Sequence, residues 1–309
     1  MSPIGGTEIQ YNKLYKYVDN KLLSNFQITT SIPEKEPISK DKINILWQQN
    51  SYDQPNINPW FRDEKNYDKY DWYVFNSHWC YEKFRMFYKK LPTEKCTVIK
   101  NAIDNFPDRK PYKKGDPLKM IFHPTPWRGL NVILGAMQLL KNDKITLDVY
   151  SSTKIYGSQF KDKNDDMFKP LYAQAAELTN VNYLGWRDND FILNNLTDYH
   201  IFPYSNNWEE TSCISAIEAL GAGLHMITTN NGALFETCSE WPVYVQYDRN
   251  YKNMSECFAY AIDEVIDYLH HDKCQEHLQM QQDFYKKFYS WNKRKIEWDN
   301  FLNGVLNAK

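Results

Sequence analysis

Apolar and polar positions along this chain fall into two blocks of alternating strand-like and helix-like segments. In the first block, Phe26 to Ser31, Ile43 to Gln48 and Trp72 to Asn76 are short apolar runs bounded by polar turns. They predict strands, and Thr97 to Ile99 predicts a further one. Residues after Gly5-Gly6 predict a helix with Ile9, Leu14, Tyr17 and Val18 in the core. Ser77 to Lys90 predicts another, carrying Trp79, Phe84 and Phe87. Pro33 to Lys42 is charged and reads as a loop. Asn50 to Tyr70, with Pro55 and Pro59, reads as a long irregular connection. Connections of that length are often functional, so this one is either part of an acceptor site or a surface excursion. Asp104 to Asp116, with Pro107, Pro111 and Gly115, reads as a linker.

The second block repeats the alternation. Lys119 to His123, Thr146 to Tyr150, Val181 to Leu184, Tyr199 to Pro203 and His225 to Thr229 predict strands. Leu130 to Leu140, Lys169 to Leu178 and Ser255 to His270 predict helices. Strands that alternate with helices build a doubly wound parallel sheet. The tail, Gln275 to Leu306, is charged and aromatic. Ile296, Trp298, Phe301 and Leu302 recur there at helical spacing, with a hinge expected near Ser290-Trp291.

Trp208 to Gly223 is the stretch with the clearest chemistry. Thr211 and Ser212 are good N-cap residues, Ile214, Ile217 and Leu220 share a face, and Gly221 and Gly223 end the helix. Glu210 and Glu218 stand in E-x7-E spacing. With the helix opening at Thr211, Glu218 is about two turns inside, roughly 12 Å along the axis. The free N–H groups between them favour an anion. A diphosphate there would have one acid for sugar hydroxyls and one for ribose hydroxyls. The plainer alternative is a pair of acids favoured by the helix dipole alone.

The segment E-T-S-C-I-S-A-I-E-A-L-G-A-G, followed by N-N-G-A-L-F-E-T from Asn230 to Thr237, resembles the donor-site signature of family 4 retaining glycosyltransferases. G-G-T-E at Gly5 to Glu8, P-W-R-G-L at Pro126 to Leu130 and N-Y-L-G-W at Asn182 to Trp186 resemble that family in the same order. The resemblance implies an α/β protein of GT-B fold, with two Rossmann-like domains whose parallel sheets face a cleft. It implies residues 1–105 as the acceptor-side domain, 106–290 as the nucleotide-sugar domain, and 291–309 as a helix crossing back to the first. In the family a strand precedes the glycine loop. Only four residues precede Gly5 here, so a shortened N-terminal domain is expected.

Residue by residue, the resemblance implies a diphosphate ligand at Arg128, whose planar fork suits phosphate, and a second cation at Lys154. It places Gly5 and Gly6 near the phosphates and Trp186 and Arg187 around the nucleobase. The N–H groups of Thr211, Ser212 and Cys213 would meet the leaving diphosphate. Glu210 would orient the donor sugar, and Glu218 would bind ribose. For Arg128 a surface salt bridge is the alternative. His123, before Pro124 at a strand end, either faces the cleft or is structural. Similar family members often read W-x-H where this chain has Trp47-Gln48-Gln49, so no general base is named.

Composition narrows the class. The chain has 309 residues, enough for two domains, and 42% are apolar. A net charge of −2 carries no general basic footprint for nucleic acid. Aromatics make up 16%, which suits core packing and sugar stacking. The six cysteines (Cys80, Cys96, Cys213, Cys238, Cys257, Cys274) show no C-x-x-C spacing, as suits a reducing cytosol. No apolar run is long enough to span a membrane, so a cytoplasmic protein is expected, with peripheral membrane contact left open. No nucleotide-phosphate loop G-x-x-x-x-G-K-S/T or dinucleotide fingerprint occurs. The Asp165-Asp166 and Asp188-Asn189-Asp190 clusters read as solvated loops, so no metal site and no cofactor is expected. The expectation is a glycosyltransferase using a nucleotide-sugar and an unknown acceptor. A nucleotide-sugar 2-epimerase or a non-catalytic nucleotide-sugar-binding subunit are the alternatives.

Overall fold

The computed structural model describes residues 5–140, 144–156 and 165–308. Two parallel sheets make the frame. The first holds four strands in sequential order: β1 (Phe26–Thr30), β2 (Ile43–Gln48), β3 (Trp72–Phe75) and β4 (Cys96–Val98). Right-handed crossovers that always step the same way put their helices on one face. That face packs Leu46, Tyr73 and Phe75 against Ile57, Phe61, Tyr67, Phe84 and Tyr88. Side chains alternate along each strand, so Ile45, Trp47 and Val74 point to the opposite face. Helices from the two ends of the chain cover it: Gly6–Tyr17, Asn20–Leu23 and Trp291–Asn307. Trp298 meets Trp47 edge-on at 5.0 Å, and Trp291 stacks on Tyr17 at 5.6 Å.

The second sheet has six strands, all parallel: β5 (Leu118–Phe122), β6 (Ile145–Val149), β7 (Val181–Tyr183), β8 (Ile201–Tyr204), β9 (His225–Thr229) and β10 (Val243–Val245). Their order is β10-β9-β8-β5-β6-β7. The chain therefore winds outward from β5, then jumps back to β8. The β5/β8 boundary is a topological switch point, where loops at the strand ends part and leave a crevice. The two domains join where Ile103 pairs with Ser290: Ile103 N donates to Tyr289 O at 2.9 Å and Trp291 N to Ile103 O at 3.1 Å. Ser290 caps the last helix, accepting from Lys293 N at 3.4 Å.

Several expectations change. The 50–70 connection is not irregular. It carries the helix Asn58–Arg62 and a 3-10 turn at Glu64–Lys69, and its aromatics fill the core over the first sheet. The tail is two helices, Asp272–Phe288 and Trp291–Asn307. Strand β10, an edge strand with Val243 and Tyr244 half-buried, is not among the expected strands although Val243-Tyr244-Val245 is apolar throughout. The expectation of a shortened start before Gly5 falls on residues 1–4, which lie outside the described residues.

Candidate active site

The C-terminal ends of both sheets face one cleft of about 1290 Å³. Ser31, Gln49, Asn76 and Asn101 follow the strands of the first sheet. His123, Tyr150 and Glu210 follow strands of the second, and Tyr204 ends β8. Gly5, Gly6, Arg128, Lys154, Trp186, Arg187, Thr211, Cys213 and Glu218 also line it; Ser212 is buried and does not.

The centre is an ion pair at the switch point. Arg128 ends a 3-10 turn, Pro126–Arg128, and Gly129 follows at φ +96°. A Cβ on Gly129 would lie 1.9 Å from Ser205 O, so only glycine lets this turn sit against β8's exit. Arg128 Nη1 reaches Glu210 Oε1 at 2.7 Å, and Tyr204 donates its hydroxyl to the same oxygen at 2.5 Å. The Glu210 backbone is held from the far side by Gly232, and Ala233 N donates to Glu210 O at 2.7 Å. Trp208, 47% exposed, lies beneath the Arg128 guanidinium at 5.8 Å and lines the cleft.

The helix beyond starts later than the capping pattern predicts. It spans Ile214–Gly221, and its N-cap is Cys213 at φ +67°, with no side-chain cap. Thr211 is drawn away instead. Its hydroxyl donates to Gln49 O at 2.9 Å and accepts from Asn76 Nδ2 at 3.0 Å, both in the first domain. A competing tertiary partner thus outweighs the local cap. Glu210 consequently precedes the helix by four residues rather than standing at its mouth, and the rise of two turns between the glutamates does not apply.

Glu218 is 5% exposed, and its backbone carbonyl accepts from Ala222 N at 2.8 Å. Burial pushes its pKa up to about 8; Lys13, paired with Asp104 close by, works against this. Both named helix starts open on the cleft: Gly5 and Gly6 of one, Cys213, Ile214 and Ser215 of the other. They nearly touch, since a Cβ on Gly6 would lie 2.9 Å from Ile214 Cδ1. Lys154 Nζ sits 4.3 Å from the Trp186 ring centroid, within cation–π range. Arg187 folds back onto the carbonyls of Leu184 and Trp186 at 3.1 and 3.0 Å. His123 stacks on Phe202 with its Nε2 enclosed and unpartnered, and burial pushes its pKa down to about 4.

The acidic clusters are not bare loops. Asp165 accepts from Thr153 N at 3.1 Å and Tyr172 Oη at 2.9 Å, and Asp166 pairs with Lys169 at 2.8 Å. Asp188 caps the helix Asn189–Asn195 through Phe191 N at 2.7 Å. Sequence reasoning missed Tyr204 and the Asn76–Gln49–Asn101 amide chain, in which Asn76 Nδ2 donates to Gln49 Oε1 and Gln49 Nε2 to Asn101 Oδ1, each at 3.1 Å. A polar residue closing each strand was the available signal.

No protein-family profile matches the chain, and no curated protein matches it. Solved structures do. A glycosyltransferase from Rickettsia africae is 16% identical with a TM-score of 0.64, over 100% of this chain and 84% of that one. The Anabaena Alr3699/HepE structure with UDP and glucose is 12% identical, TM-score 0.61, over 85% and 72%. The pneumococcal O-GlcNAc transferase GtfA with UDP and GlcNAc is 13% identical, TM-score 0.60, over 86% of this chain. The chain has the GT-B fold. It spans about half of the pneumococcal GtfA chain, 53%. Among its described residues no helix is long and apolar enough to cross a membrane.

Proposed function

We propose that this protein is a retaining glycosyltransferase of the family 4 type, moving a sugar from a nucleotide-sugar to an acceptor without a bound metal. The observation that carries the reading is the Arg128–Glu210 pair at the switch point, beside two helix N-termini in one cleft. A nucleotide-sugar leaves as a diphosphate, so preorganised positive charge must meet charge that grows as the bond breaks. Arg128 and Lys154 supply it from side chains, and the helix starts at Gly6 and Ile214 from free amides. Glu210 orients the sugar, Glu218 takes ribose hydroxyls, and Trp186 and Arg187 flank the base. Residues 1–105 hold the acceptor, 106–290 hold the donor, and 291–309 cross back to the first domain. Similar folds are described with UDP and glucose or GlcNAc, which favours a UDP-sugar donor.

The test is a thermal-shift panel of nucleotide-sugars, since a ligand that binds the folded state raises Tm. Product analysis with and without added acceptors follows. A shift with UDP-sugars, and a product that keeps the donor's anomeric configuration, are the expected results. No shift with any nucleotide sinks the donor reading. An epimerised nucleotide-sugar formed without acceptor would make the protein an epimerase, and binding without turnover would make it a non-catalytic subunit.

A further inference from the structure

One short stretch of the first domain, Asn76 to Trp79, grips both flanks of the Glu210 segment. On one flank, Thr211 is held by Asn76 Nδ2 at 3.0 Å, and Ser77 Oγ donates to Thr211 O at 2.5 Å. On the other, Glu236 Oε1 accepts from His78 N at 3.0 Å and Oε2 from Trp79 N at 2.7 Å. Lys100 Nζ lies 2.9 Å from Glu236 Oε1. Ser77 Oγ accepts from Cys80 N at 2.9 Å. The first three amides of the helix His78–Phe87 are therefore all capped, two of them by a carboxylate from the other domain. A helix start carries unpaired N–H groups and partial positive charge, so a carboxylate is its strongest partner. Burial alone would raise the Glu236 pKa, but Lys100 and the Trp79 and His78 amides hold it below the ordinary carboxyl value. Glu236 lies in the helix Leu234–Cys238, whose lead-in, Gly232 and Ala233, is bonded to the Glu210 backbone.

We propose that Glu236 is a positioning residue: by capping the first-domain helix across the cleft, it sets where Glu210 stands against Arg128 and the donor. The transfer it serves rests on the function proposed above; the clamp itself does not. Glu236 is not among the residues lining the cleft; its carboxylate faces the start of the first-domain helix instead. Its loss spares nucleotide binding and impairs the step that needs the closed arrangement.

Glu236→Ala and Glu236→Gln are compared with wild type by UDP calorimetry, steady-state kinetics, and small-angle scattering with UDP bound. The UDP dissociation constant is expected to stay within about twofold. For Glu236→Ala, kcat is expected to fall roughly 10- to 100-fold, the scale of a displacement of about 1 Å at the reacting groups, with donor KM changed less. Its radius of gyration is expected to rise. Lys100→Met, which keeps both amide bonds, falls between. Unchanged kcat in a folded variant overturns the proposal, and so do equal losses in kcat and UDP affinity. Should Glu236→Ala not fold, the isosteric Glu236→Gln carries the same comparison. If wild type turns over no nucleotide-sugar, the transfer reading fails, and an unchanged radius without the Glu236 carboxylate overturns the clamp on its own.

Discussion

Arg128 Nη1 stands 2.7 Å from Glu210 Oε1, and both side chains are largely sheltered, 23% and 11% exposed. The guanidinium and the carboxylate thus share one site. On the proposed function, the guanidinium that pairs with Glu210 is also the group that meets the donor's diphosphate. Glu210→Gln is expected to cut transfer strongly while UDP binds nearly as in wild type. Arg128→Ala removes the phosphate ligand of the proposed function and also takes the cationic partner from a sheltered carboxylate. It is expected to lose turnover and to lose on the order of 1–3 kcal/mol of stability, below the figure for a fully buried pair because the site is partly open. Calorimetry with UDP and urea melts measure the two effects. Equal loss of UDP binding and transfer in Glu210→Gln would contradict the sugar-side role.

Glu218 titrates far from the ordinary carboxyl value of 4.5, at about 8, because it is buried. Between those values the folded protein binds more protons than the unfolded chain. Stability therefore falls as pH rises through that window, by on the order of a few kcal/mol in all. Melts from pH 5 to pH 8 are expected to show a steeper decline in wild type than in Glu218→Gln; parallel curves would refute this. Glu218→Ala is also expected to weaken UDP binding roughly tenfold, the scale of one lost hydrogen bond to a neutral group at about 1.4 kcal/mol.

Transfer is expected to survive excess EDTA, because Arg128, Lys154 and two helix starts bring positive charge to the cleft. Hard cations prefer clustered carboxylates and other oxygens. Activity lost in chelator and restored by Mg²⁺ or Mn²⁺ would refute this and point to Asp188 and Asp190, which line the cleft, before Asp165 and Asp166.

Trp298 is fully buried and edge-on to Trp47. Trp298→Ala is expected to cost about 3–5 kcal/mol, the range for large aromatic truncations in a core. Hydrogen exchange would report faster exchange across Trp291–Asn307. Protection equal to wild type would show that the last helix holds without this contact.

The amino-acid sequence by itself determined the elements and the sheet type. Apolar runs such as Ile43–Gln48 and His225–Thr229 are buried along their whole length, and that leaves a direct trace in residue choice. The alternation of strand and helix then implied parallel sheets, and the E-x7-E stretch pointed to the cleft wall. Local rules failed where a residue had a distant competitor. Thr211 reads as an N-cap, but Gln49 and Asn76 take its hydroxyl, and the helix begins at Ile214 behind a left-handed Cys213. The Arg128–Glu210–Tyr204 contact joins two strand ends across the switch point, and the Glu236 cap joins two domains. Partners so far apart in the chain leave no periodic signature, because nothing local constrains their spacing. Only the packing of the sheets against each other decides which of these polar groups meet.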